Sequence, residues 1–153
     1  MAGTHFKGPI YVNGTNRVGT SGGYTGYVVG KPSASQSTIS AVAGAANVST
    51  VTIQIKDGAG TNVSGVTPFT VYKSSAADGL TLGAAASTGW SVASGGLSLN
   101  NGTAITTSLR GVSSATGGCV LSLTDTNKAA EYLILVVGDG IKVSTVLTSG
   151  SYG

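Results

Sequence analysis

Charge is what this sequence has least of. Only 8% of its 153 residues are Asp, Glu, Lys or Arg, against about 25% in ordinary domains. Disorder does not follow, because disordered chains combine high net charge with few apolar residues, and here 41% of the chain is hydrophobic. A surface so poor in charge tends instead to associate. Cys119 is the only cysteine, so no internal disulfide is available. Its place in the alternating run Cys119-Val120-Leu121-Ser122-Leu123 reads as a small buried hydrophobe. His5 is the only histidine. One His and one Cys exclude zinc on ligand count. A Ser-His-Asp triad would have to recruit His5 from a stretch whose first 46 residues hold no acid. Four of the five carboxylates, Asp57, Asp78, Asp125 and Asp139, sit beside turn residues, where Asp is favoured for backbone reasons. No dense acidic loop suits calcium, and no phosphate loop or dinucleotide fingerprint is present. The N-terminal MAGTHFKGPI lacks the apolar core of a secretory signal, and the longest apolar strand is far too short to cross a membrane. The expectation is a protein without enzymatic activity, cofactor, metal or membrane, made in a reducing cytoplasm.

What is abundant is glycine, 25 residues, with much Ser and Thr. The most telling stretch is Glu131 to Leu147. Tyr132–Val137 is almost wholly bulky and apolar, Gly138-Asp139-Gly140 supplies a tight turn, and Ile141, Val143 and Thr145 alternate with Lys142, Ser144 and Val146. Two antiparallel strands follow, and the run Leu133-Ile134-Leu135-Val136 demands cover on both faces. Val51, Ile53 and Ile55 alternate with polar neighbours in a half-buried strand that ends at Asp57-Gly58-Ala59-Gly60. Phe69–Lys73, Trp90 with Val92, Leu97–Leu99, Ile105–Leu109 and Cys119–Leu123 read as further strands. Asn100-Asn101-Gly102 reads as a hairpin turn. No stretch keeps helical periodicity over ten residues. Seven to nine strands with turns every 8–12 residues or so indicate a sandwich. Trp90 is expected in its core.

The net charge of +3 is uneven. Lys7, Arg17 and Lys31 stand without an acid in residues 1–46, whereas residues 47–153 hold five cations and five acids. Three charges over 46 residues are too sparse for nucleic acid, where dense clusters are expected; an acidic protein surface fits better. Residues 1–46, with the short pieces Ile10–Val12 and Tyr27–Val29 between glycine-rich breaks, read as an arm, and residues 47–153 as the sandwich. The alternative is that Tyr24–Ala46 adds strands to the main sheet.

The start Thr4-His5-Phe6-Lys7-Gly8-Pro9-Ile10-Tyr11 resembles the N-termini of capsid decoration, or cement, proteins of tailed bacteriophages. The pieces VTIQIKDGAGTNVSG, FTVYKSSAADGLTL and LSLTDT, with the Tyr132 strand, are similar to immunoglobulin-like modules of phage and bacterial surface proteins. The paired cysteines of antibody domains are absent, so only the architecture carries over. The resemblance implies an all-β, Ig-like antiparallel β-sandwich with an extended N-terminal arm. It also implies a structural protein on the outer surface of a virion that bridges major capsid protein subunits, often as a homotrimer. His5, Phe6, Lys7, Pro9, Ile10, Tyr11 and Arg17 are then the expected partner-binding residues. The alternative function is a carbohydrate-binding or host-adhesion module, with Trp90 and Tyr24, Tyr27 or Tyr152 as stacking faces.

Overall fold

The computed structural model describes residues 30–100 and 105–153 in full and residues 10–12, 15–18 and 27–28 by their backbone. The chain is all-β. Three short strands, β1 (Ile10–Val12), β2 (Thr15–Val18) and β3 (Tyr27–Val28), form a small antiparallel sheet in the order β1-β2-β3. Nine more strands form a sandwich of two antiparallel sheets. One sheet has the order β4-β5-β10-β7, from Pro32–Ala43, Val48–Asp57, Gly118–Thr124 and Gly89–Ser94. The other has the order β12-β11-β6-β9-β8, from Gly140–Val143, Tyr132–Val137, Pro68–Ser74, Ser108–Ser113 and Gly96–Ser98. The only helical element among the described residues is a 3-10 turn at Ser149–Ser151.

Period-two alternation builds the core. Val51, Ile53 and Ile55 on β5 and Cys119, Leu121 and Leu123 on β10 face Phe69 and Val71 on β6 and Leu133, Leu135 and Val137 on β11. These inward side chains are almost wholly removed from water, each stabilising the fold by about 1.5–3 kcal/mol relative to exposure. Trp90 and Cys119 belong to this cluster, as expected. Burial pushes the Cys119 thiol above its ordinary pKa, which fits a packing role.

The Glu131–Leu147 stretch pairs as anticipated as far as Val143, where β12 ends three residues short of the expected alternation. Val137 lies opposite Gly140 across Gly138-Asp139. Gly138 has φ +54°, and a Cβ there would run into the Pro32 carbonyl oxygen. Two further expectations shift. The boundary at Asn47 falls on the turn joining β4 to β5, where Asn47 itself has positive φ. The sandwich therefore begins at Pro32: β4 pairs with β5 over Thr38–Ala43 and buries Ala34 and Ile39. Its alternation was concealed because serine and alanine fill most of its positions. The strand expected at Ile105–Leu109 is instead Ser108–Ser113, because Leu109, Gly111 and Ser113 are its inward residues, and two of them are not hydrophobic.

An immunoglobulin variable-type sandwich orders its strands A-B-E-D and G-F-C-C′-C″. Here β4-β5-β10 and β12-β11-β6 hold the A-B-E and G-F-C positions. The three intervening strands are visited in the reverse sequence: β7 fills the D position before β8 and β9 fill C″ and C′.

Candidate functional site

Of the expected binding residues, His5, Phe6, Lys7 and Pro9 lie outside the described residues. Ile10 and Tyr11 lie on β1 and Arg17 on β2, with Ile10 opposite Arg17 in the register. Trp90 and Tyr152, two of the aromatic faces an adhesion module would present, are buried. Tyr24 lies outside the described residues, and Tyr27 begins β3.

The most unusual chemistry lies inside the sandwich, at one end of the core. On β6 the inward positions run Phe69, Val71, Lys73. On β10 they run Cys119, Leu121, Leu123 and, one step past the strand, Asp125. Leading into β11 they run Glu131, Leu133, Leu135, Val137. Alternation thus carries a lysine, an aspartate and a glutamate onto core-facing positions, where all three are buried. Lys73 Nζ lies 2.7 Å from Asp125 Oδ2 and 2.7 Å from Glu131 Oε2. Asp125 directly follows β10 of one sheet, whereas Lys73 lies on β6 and Glu131 directly precedes β11 of the other. The ionic contact therefore crosses the sandwich.

Backbone amides fix both carboxylates. Asp125 Oδ1 accepts from Ser87 N at 3.2 Å and Asn127 N at 3.0 Å, while Oδ2 accepts from Lys73 Nζ. Glu131 Oε1 accepts from Ala84 N at 2.6 Å. Glu131 Oε2 is the one carboxylate oxygen of the cluster with no aligned hydrogen bond, although it is as close to Nζ as Asp125 is. Gly83 makes room, since a Cβ there would collide with the Glu131 carboxylate and lie 3.1 Å from Lys73 Cβ. Desolvation raises the Asp125 pKa, but the Lys73 hydrogen bond and charge and the Asn127 and Ser87 amides outweigh it, so the carboxyl sits below its ordinary value. One cation against two carboxylates leaves an excess negative charge indoors. Tyr152 registers it: burial, then the charges of Asp125 and Glu131, push its phenol up to about 12. Its buried hydroxyl has no hydrogen-bond partner among the described residues. The C-terminal segment closes this end, through Leu147 N donating to the Glu131 carbonyl at 2.6 Å and Gly153 N to the Val48 carbonyl at 3.1 Å.

Asp57 shows the ordinary use of a turn carboxylate. It accepts from Gly30 N, Ala59 N and Thr61 N. Led by the Gly30 bond, these hold its pKa below the usual value.

The outer face of the β12-β11-β6-β9-β8 sheet is the second candidate. The loop after β6 folds over part of it, with Tyr72 Oη donating to the Gly79 carbonyl at 2.8 Å. Beyond that loop the face mixes exposed apolar side chains with Thr70 and the exposed Arg110. Leu97, Leu99, Val136 and Ile141 are exposed, and of these Leu99 and Val136 line a shallow depression of about 230 Å³ together with Thr70, Arg110 and Gly111. Among the described residues no group of three His, Cys, Asp or Glu is placed to hold a metal ion.

Sequence reasoning missed the buried cluster because it read Asp125 as a turn residue and Lys73 as a strand end. The signal was the alternation itself, continued one step past each strand. The chain matches no family model, no curated protein and no solved structure.

Proposed function

We propose that this chain is a structural, non-enzymatic protein of a virion that decorates the outer surface of a phage capsid and stabilises it by bridging major capsid protein subunits. The observation that carries the reading is the exposed apolar face at Leu97, Leu99, Val136 and Ile141 on a sheet-built body. Large apolar side chains left exposed on one sheet face suit a protein contact better than a free exterior. In this reading the face packs against other copies in a closed homotrimer. The cationic leader, with Lys7 and Arg17, lies on the capsid. Modest contacts repeated over a lattice become collectively strong. The resemblance at Thr4–Tyr11 supports the same assignment.

The test is co-sedimentation of the full chain with expanded capsids of a tailed phage carrying its gene, followed by heating. Saturable binding and a raised temperature of DNA release are expected. A chain that stays in the supernatant at every concentration overturns the proposal.

A further inference from the structure

We propose that Lys73 and Asp125 condense spontaneously into an amide bond inside the folded protein, with Glu131 as the catalytic proton carrier. The inference is independent of what the outer face binds. It rests on three features of the buried cluster. The amine nitrogen lies 2.7 Å from a carboxyl oxygen, in a core that excludes bulk water. The other oxygen of that carboxyl is already held by two backbone amides, from Ser87 and Asn127. A second carboxylate, oriented by Ala84 N, presents an oxygen without an aligned hydrogen bond to the same nitrogen. An ion pair alone requires neither the paired amides on Oδ1 nor the second acid.

The chemistry balances within these groups. The ammonium passes a proton along the 2.7 Å contact to Asp125 Oδ2, which turns a buried ion pair into a neutral amine and a neutral acid without changing the cluster's net charge. Because its surroundings favour the ionised Asp125, this neutral pair is the less populated form through which the reaction passes, and the relief of desolvation only reduces its cost. The Nζ lone pair then attacks Cγ, and the C=O electrons move onto Oδ1, where the Ser87 and Asn127 amides act as an oxyanion hole. Glu131 takes a second proton from the nitrogen through Oε2 and delivers it to Oδ2. The Cγ–Oδ2 bond breaks and water leaves. Glu131 ends as it began, so the sum is ammonium plus carboxylate giving amide plus water, with no oxidant or co-reactant. Fixed proximity replaces an encounter in solution, the largest advantage an intramolecular reaction has. The event is a single self-modification, not turnover.

The experiment is intact mass spectrometry of the purified full chain, with peptide sequencing after digestion. The expected mass is one water below that of the unmodified chain, with a branched peptide joining Lys73 to Asp125. Glu131→Gln keeps the shape of the side chain and is expected to retain the missing water, as is Lys73→Arg, with circular dichroism showing each still folded. Wild-type protein at full mass overturns the proposal. So does a water lost elsewhere, such as a ring closure at Asp57-Gly58 or Asp139-Gly140, because no branched peptide then appears. If Glu131→Gln forms the bond as completely and as fast as wild type, the role given to Glu131 is overturned.

Discussion

At the scale of single residues, the buried cluster sets how stability responds to pH. Tyr152 keeps its proton to about 12 in the folded chain, while an unfolded tyrosine loses it near about pH 10. Folding therefore binds the proton more tightly. The contribution is complete below about pH 10 and declines as pH rises from there through the folded value. The decline is at most about 1.4 kcal/mol per pH unit. Denaturant titrations of wild type and Tyr152→Phe between neutral and alkaline pH check this. The difference in slope above pH ~10 belongs to Tyr152. At neutral pH the variant is expected to lose no stability, because the hydroxyl it removes is buried without a hydrogen bond to the described residues. A neutral-pH loss above about 1 kcal/mol, the size of a typical hydrogen bond, would show that the hydroxyl has a partner. Asp57 works in the opposite direction. Its lowered pKa gives stability that is present above the ordinary carboxylate range and lost as pH falls through its folded value.

At the scale of elements, the strands that stand out most clearly in the sequence are those whose inward residues are hydrophobic: Val51-Ile53-Ile55, Phe69-Val71, Cys119-Leu121-Leu123 and Leu133-Leu135-Val137. The two that sequence reading misplaced bury small or polar residues instead. β4 turns Ser33, Ala34, Ser37 and Ile39 inward and β9 turns Leu109, Gly111 and Ser113 inward. Hydrophobic alternation cannot mark a strand whose core positions are serine and glycine. Ser37 is tolerated there because its hydroxyl donates to the Ser33 carbonyl at 2.7 Å. The charged cluster escaped for the same reason in stronger form, since Lys, Asp and Glu in an inward register are normally read as the end of a strand. The outer apolar face was not legible either, because exposure depends on which sheet lies beneath, and strand order is not written in local pattern. The fit around the cluster gives an element-scale prediction. The segment carrying Gly83 and Ala84 hydrogen-bonds to β6 through Gly83 N and the Lys73 carbonyl at 2.9 Å. Gly83→Ala forces a methyl into the Glu131 carboxylate. Equilibrium urea unfolding should show a loss of about 1–3 kcal/mol, typical of overpacking, with an unchanged m-value. A variant as stable as wild type would mean that the carboxylate moves aside at no cost, and that the cluster is not held as tightly as described.

At the scale of the whole molecule, the two sheets share one core, and one end of that core is tied by polar chemistry. Lys73 and Asp125 are 52 residues apart in sequence. A covalent link over that span would remove loop-closure entropy from the unfolded chain worth about 4 kcal/mol, by the same reckoning used for disulfides. A chain with a single cysteine would gain by amide chemistry the cross-link it cannot make with sulfur. Such a tie suits a body that must resist load while something else does the gripping. In the proposed function that grip belongs to the leader before the sandwich strand at Pro32; residues 1–31 hold the chain's excess of positive charge, and residues 1–20 carry two of the leader's three cations, Lys7 and Arg17. The direct measurement is co-sedimentation of the chain lacking residues 1–20 with expanded capsids, beside its circular dichroism. A chain that keeps its β-sheet spectrum and no longer binds is the predicted result. A truncated chain that binds as tightly as the full one would contradict the account.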